Sequence, residues 1–108
     1  RHVYGADCIG ISARTWNPPW SMYRGDANVA ALLTFANGIE VTYQGTWAGN
    51  HDRLGFDWRT DCANGIAVQA DMFGALGRAR RDDRALTPVS LPPTQPWRDD
   101  AAALWADF

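Results

Sequence analysis

The chain, 108 residues long, contains no lysine: its ten basic residues are all arginine. Without an ε-amino group it has no Schiff-base former and no lysine to serve as acid or base. No Gly-x-Gly spacing occurs, which removes dinucleotide and kinase phosphate loops, and there is neither a Walker sequence nor a Gly-x-Ser-x-Gly elbow. Histidine is scarce. His2 and His51 lie far apart, and neither has a partner at metal-ligand spacing. Cys8 and Cys62 are too few for a disulfide framework and read as two buried free thiols, so no metal site is expected. A formal charge of −2, with no basic stretch interleaved with aromatics, excludes a nucleic-acid surface. No apolar run is long enough to cross a bilayer and none has the form of a signal peptide; the expectation is a cytoplasmic chain with no membrane partner. The first methionine is Met22, so the segment is expected to be one domain of a longer protein.

What is present centres on Asn28–Trp47. Two alternating runs flank Asn37-Gly38, a pair that tolerates the positive φ of a type I′ hairpin turn. On the first arm Val29, Ala31, Leu33 and Phe35 share one face, opposite Ala30, Leu32 and Thr34. On the second, Ile39, Val41, Tyr43 and Trp47 share a face, opposite Glu40, Thr42, Gln44 and Thr46. The first arm is apolar on both faces, which predicts a central strand covered on both sides. A one-residue slip would carry Glu40 and Gln44 into the core, so the register is strongly specified.

Around this hairpin the chain reads in order. Arg1–Gly5 resembles the last turn of a helix, with Gly5 as its left-handed C-terminal residue. Asp7–Trp16 alternates as a first strand, with Ile9, Ile11 and Ala13 on one face, and Asn17-Pro18-Pro19 stops it. The loop 17–26 carries Trp20, Met22 and Tyr23, which either fold back over a sheet face or line a pocket. After a polar turn containing His51, Leu54–Cys62 forms another strand, with Asp57, Arg59 and Asp61 as a solvated row on one face. Asn64-Gly65 repeats the turn signal and leads into Ile66, Val68 and Ala70. Met72–Leu91 predicts one or two short edge strands around a self-neutralising charged turn, Arg78–Arg84. Leu91–Pro96 is a linker. Beyond it Asp99 or Asp100 caps a helix with an apolar stripe at Ala101, Leu104, Trp105 and Phe108. The acidic pairs Asp82-Asp83 and Asp99-Asp100 suit loop and cap positions rather than paired acid/base work. Nothing in the chain makes an enzyme by itself.

In order and spacing these segments resemble, over residues 1–108, the C-terminal domain of the Gfo/Idh/MocA family of NAD(P)-dependent oxidoreductases. Arg1–Gly5 looks like the end of that family's D-x-L-R-x-x-x-G helix, and Leu33–Gly38 is similar to its L-x-F-x-N-G hairpin. Tyr43–Trp47 resembles its G/S-x-W strand, Leu54–Asp61 its Y-G-Y-D-x-R-x-E strand, and Trp105–Phe108 the start of its D-F-x-x-A-I helix. The resemblance implies an α+β fold: a mostly antiparallel open β-sheet with flanking helices cut short at both ends, the second domain of a two-domain oxidoreductase. It also implies homo-oligomer assembly through a sheet face, with the small-molecule substrate a sugar, polyol or related carbonyl compound.

The family's nucleotide site lies in an N-terminal Rossmann domain absent from this chain, with a lysine in an E-K-P motif there; its D-x-x-x-H pair lies upstream of Arg1. The resemblance therefore implies NAD or NADP for the full-length protein, with no cofactor-binding and no catalytic residue in this segment. Where the family strand carries aromatic hydroxyls, this chain has Leu54 and Phe56, which cannot hydrogen-bond to a polyol. The candidates left to line a substrate are Trp16, Asn17, Trp20, His51, Phe56 and Trp58, core packing being the competing role for Phe56 and Trp58. Two alternatives stand beside this. Six tryptophans offer stacking platforms for a free-standing carbohydrate-binding module, with Trp16, Trp20 and Trp47 as the platform. The third is a purely structural dimerisation domain.

Overall fold

A computed structural model describes residues 3–50, 55–72, 74–95 and 97–106. The element order is β1 (Cys8–Trp16), β2 (Asn28–Phe35), β3 (Glu40–Thr46), β4 (Trp58–Cys62), β5 (Gly65–Gln69), β6 (Leu76–Arg80), β7 (Thr87–Pro88) and α1 (Arg98–Ala106). All strand pairs are antiparallel. Among the described residues the fold is therefore mostly antiparallel β with one short helix. The strands form two sheets where one was expected, ordered β1-β2-β3 and β4-β5-β6-β7. They belong to two compact units, Arg1–Asp52 and Arg53–Phe108. The polar stretch after Trp47 lies between the two sets of strands, and within each set consecutive strands are neighbours.

In the first unit β2 is central, as its apolar pattern predicts, but it is not covered on both sides, since Ala30 and Leu32 remain exposed. Cross-strand pairs put Ile11 beside Leu33 and Leu33 beside Val41, with Ala31 beside Tyr43 on the same face. The opposite face is mainly polar; there the Thr34 hydroxyl donates to Glu40 Oε2 at 2.9 Å. A bulge between Cys8 and Gly10 sets Cys8 opposite Phe35 and leaves Ile9 as the extra residue, so Ile9 departs from the alternation read from the sequence.

The β2–β3 turn also differs from expectation. Gly38 has φ 81°, but Asn37 is not in the left-handed region, so the turn is not type I′. Gly38 N donates to Phe35 O and Phe35 N to Ile39 O, both at 2.9 Å, giving a three-residue loop with a left-handed glycine at its end. Asn37 Nδ2 donates to Tyr4 O at 2.9 Å, which ties the N-terminal segment to the hairpin. Beneath it, Phe35 is buried against Tyr4, with ring centroids 5.0 Å apart and planes at 63°. Gly5 adopts φ 64°; the helix end expected over Arg1–Gly5 falls partly on Arg1 and His2, which lie outside the described residues.

In the second unit β5 is flanked by β4 and β6, with the two-residue β7 at the edge. Arg78 and Arg80 belong to β6, so the charged turn is shorter than expected; Arg80 N donates to Asp83 Oδ2 at 2.8 Å to close it. Gly65 is required by packing, because a Cβ there would stand 2.1 Å from Ala79 O. Helix α1 begins one residue before Asp99, and Trp97 precedes it with φ 70°. Asp100 Oδ2 accepts from Trp97 N at 3.2 Å, and Asp99 Oδ2 from Gln95 N at 2.7 Å; both acids thus cap from inside the first turn. Leu104 and Trp105 of the predicted apolar stripe are exposed, and Phe108 lies outside the described residues. Both cysteines are exposed, contrary to expectation, because β1 and β4 are edge strands of their sheets.

Candidate functional site

Three of the sequence-predicted residues meet at one end of the first sheet, where β1 ends, β2 begins and β3 ends. Asn28 opens β2 and lies opposite both Trp16 and Thr46. With its amide oriented to satisfy every polar neighbour, its oxygen accepts from Trp16 Nε1 at 3.0 Å, while its nitrogen donates to Ala27 O at 3.1 Å and to the Thr46 hydroxyl. One side chain thus links all three strands at this end. Trp47 N donates to Ala27 O at 2.8 Å, and Ala27 is buried.

The loop after β1 is held to the same end. Asn17 Nδ2 donates to Tyr23 O at 2.8 Å, and Ser21 N to Pro18 O at 3.0 Å. The Thr15 hydroxyl donates to Asp26 Oδ2 across the neck of the loop. Trp20 Nε1 donates to Ala48 O at 2.9 Å, so the indole is pinned by its one polar atom. Its apolar surface stays free: Trp20 is 63% exposed and Trp47 83%. Such an arrangement can stack on a flat apolar surface and offer hydrogen bonds at its rim.

Of the other candidates, Phe56 and Trp58 belong to the second unit. His51 lies outside the described residues. Phe56 is half-buried just before β4, and Trp58 opens β4 with its Nε1 donating to Thr60 Oγ1 at 3.1 Å. Leu54 also lies outside the described residues; of the strand expected over Leu54–Cys62, residues 55–57 are not in a strand and β4 begins at Trp58. Of the expected row of charges, Arg59 and Asp61 lie on β4, where Arg59 Nη2 meets Asp61 Oδ1 at 2.7 Å in solvent, while Asp57 precedes the strand. Asp61 holds the Arg59 guanidinium still more firmly protonated, by its hydrogen bond first and its charge second. Asn28, the hub of the cluster, carried no sequence signal beyond its place at the start of a strand.

No family model matches the chain, and no solved structure does. Among curated proteins it is 48% identical over 107 residues to the uncharacterized protein y4oX of Sinorhizobium fredii (strain NBRC 101917 / NGR234). The match covers 88% of this chain and 29% of that relative, so the chain spans less than a third of the protein it matches.

Among the described residues no three His, Cys, Asp or Glu side chains gather closely enough for a metal ion. The N-terminus of α1 presents Asp99 and Asp100, whose charges would repel a pyrophosphate. No helix among the described residues is long and apolar enough to cross a membrane.

Proposed function

We propose that the chain is an assembly and substrate-lining domain of a larger NAD(P)-dependent oxidoreductase of the Gfo/Idh/MocA type. Its substrate would be a sugar, polyol or related carbonyl compound. The observation that carries this reading is the apolar face of the first sheet, where Ile11 is 67% exposed and Tyr43 54% exposed beside Val29, Leu33 and Val41. An apolar sheet face bounded by polar strand ends suits sheet-on-sheet packing against another copy. The nicotinamide and the groups that move protons would lie on another domain. The work left to this chain would be to stack against the substrate through Trp20 and to hold the loop 17–26 in place through Asn17 and Trp16. Much of the relative's length lies beyond the segment this chain matches, which suits a part in a larger protein. The test is nicotinamide absorbance during incubation of the protein that carries this chain with a panel of sugars and polyols. Turnover whose KM rises with Trp20→Ala supports the reading; no turnover with either nicotinamide across the panel counts against it.

One observation favours a second reading. Trp20 and Trp47 are exposed at the same end of the first sheet, as a carbohydrate-stacking platform requires. A saturable shift in tryptophan fluorescence with carbohydrate, but no hydride transfer, would select that module.

A further inference from the structure

The second sheet has one face whose side chains follow from its register. Cys62, Gly65 and Arg80 form one cross-strand row, Thr60, Ala67, Arg78 and Thr87 the next, and Trp58, Gln69 and Leu76 the third. The middle strand therefore contributes a hydrogen and a methyl group to the first two rows, flanked by longer side chains on β4 and β6. The result is a trough rather than a flat face. A cleft of about 410 Å³ opens along it, lined by Cys62, Gly65, Ala67, Arg78, Arg80 and Thr87. A second hollow of about 220 Å³ shares Ala67 with it and runs to Trp58 and Leu76.

The two ends differ in chemistry. Arg78 and Arg80 stand two residues apart on β6, so both side chains emerge on the trough face. Among the described residues neither guanidinium is paired with a carboxylate. Arg59 and Asp61 neutralise each other on the opposite face, and Asp83, which borders the cleft, is engaged with the backbone N–H of Arg80. Two like charges side by side on one sheet face repel each other, an arrangement that an anion between them relieves. At the other end Trp58 is held along its strand by its bond to Thr60, and Leu76 lies across from it beyond Gln69. The Gln69 amide is turned away to Gly74 O at 3.1 Å, which leaves that end apolar. From Leu76 to Arg80 is roughly 13 Å of strand, the length of a small organic acid with room to spare.

We propose that this trough binds a small molecule carrying a carboxylate or phosphate monoester on a flat apolar body. The anion lies between Arg78 and Arg80, with the Thr87 hydroxyl as a further donor, and the body lies over Ala67 toward Trp58 and Leu76. Planar guanidinium forks suit either anion, which is why the two are named together.

The experiment titrates the full chain with phenyl phosphate and 3-phenylpropionate, read by tryptophan fluorescence and by amide shifts of β5 and β6. The uncharged 3-phenylpropanamide and inorganic phosphate serve as comparison probes. Saturable binding of at least one acid is expected, with the amide and inorganic phosphate each weaker by about tenfold or more. Arg78→Gln and Arg80→Gln are each expected to weaken the acid by about tenfold. Ala67→Leu, which fills the floor, should abolish binding, and Arg59→Gln on the opposite face should leave it unchanged. The proposal is overturned if neither acid saturates, if the amide binds as well as the acid, or if folded Arg78→Gln and Arg80→Gln proteins bind as tightly as the parent. The amide comparison needs no variant and so stands even if one of them fails to fold.

Discussion

Leu33 faces Val41 across the β2–β3 ladder, and Ala36, Asn37 and Gly38 form the loop inside the hydrogen bond from Phe35 N to Ile39 O. A two-residue turn at Asn37-Gly38 would instead set Leu33 against Thr42 and split the apolar face. The matched face therefore selects the longer loop, whose last residue must be left-handed. Gly38→Ala should destabilise the hairpin by about 1 kcal/mol, and Gly38→Asn by less, because asparagine visits that region more readily. Urea denaturation checks both. An unchanged midpoint for Gly38→Ala would contradict the loop geometry.

Two other glycines separate backbone from side-chain crowding. At Gly65 an added methyl group meets the carbonyl of Ala79, which cannot move without parting β5 from β6. Gly65→Ala is expected to cost about 2–3 kcal/mol. At Gly45 the same methyl group meets the Tyr43 ring, with its hydroxyl 2.6 Å away, and a ring on the exposed face can swing aside. Gly45→Ala should cost less than about 1 kcal/mol. Thermal melts of the two variants side by side test the contrast.

Trp20 is anchored by a single hydrogen bond, from its indole nitrogen to Ala48 O. Trp20→Phe removes the donor and keeps most of the stacking surface. The expected cost in stability is about 0.5–1 kcal/mol, with faster hydrogen exchange in residues 17–26. Trp20→Ala should lose the stacking surface as well, so carbohydrate binding read by calorimetry should vanish in Trp20→Ala and survive in Trp20→Phe.

The Arg59–Asp61 pair is exposed to solvent, so Asp61→Asn should leave the melting temperature unchanged at any salt concentration. A drop of several degrees would mean that this face is covered in solution.

Much of the strand content was legible in the sequence, for local reasons. Period-two patterns located β1 to β3, and the Asn-Gly pairs marked both tight hairpins. The turn type was not legible, because Asn37-Gly38 serves equally as the middle of a two-residue turn or the end of a three-residue loop. Only the cross-strand partners decide between them. Nor was the division into two sheets, which depends on which strand edges pair. Arg78 and Arg80 looked like part of a neutral turn when counted by charge. Their spacing, read with the strand period, was the signal that both share a face. Of the site, the sequence marked Asn17 and Trp20 by the unusual chemistry of their loop, and Trp16 at the end of the strand before it. Asn28 escaped because its role depends on partners 12 and 18 positions away.

Sedimentation equilibrium of the chain and of its Ile11→Asp/Tyr43→Asp variant tests the assembly claim most directly. The parent is expected to associate at micromolar concentration, while the variant, with unchanged far-ultraviolet circular dichroism, sediments as a monomer. A monomeric parent, or a variant that associates as strongly, would contradict an assembly role for the β1–β3 face.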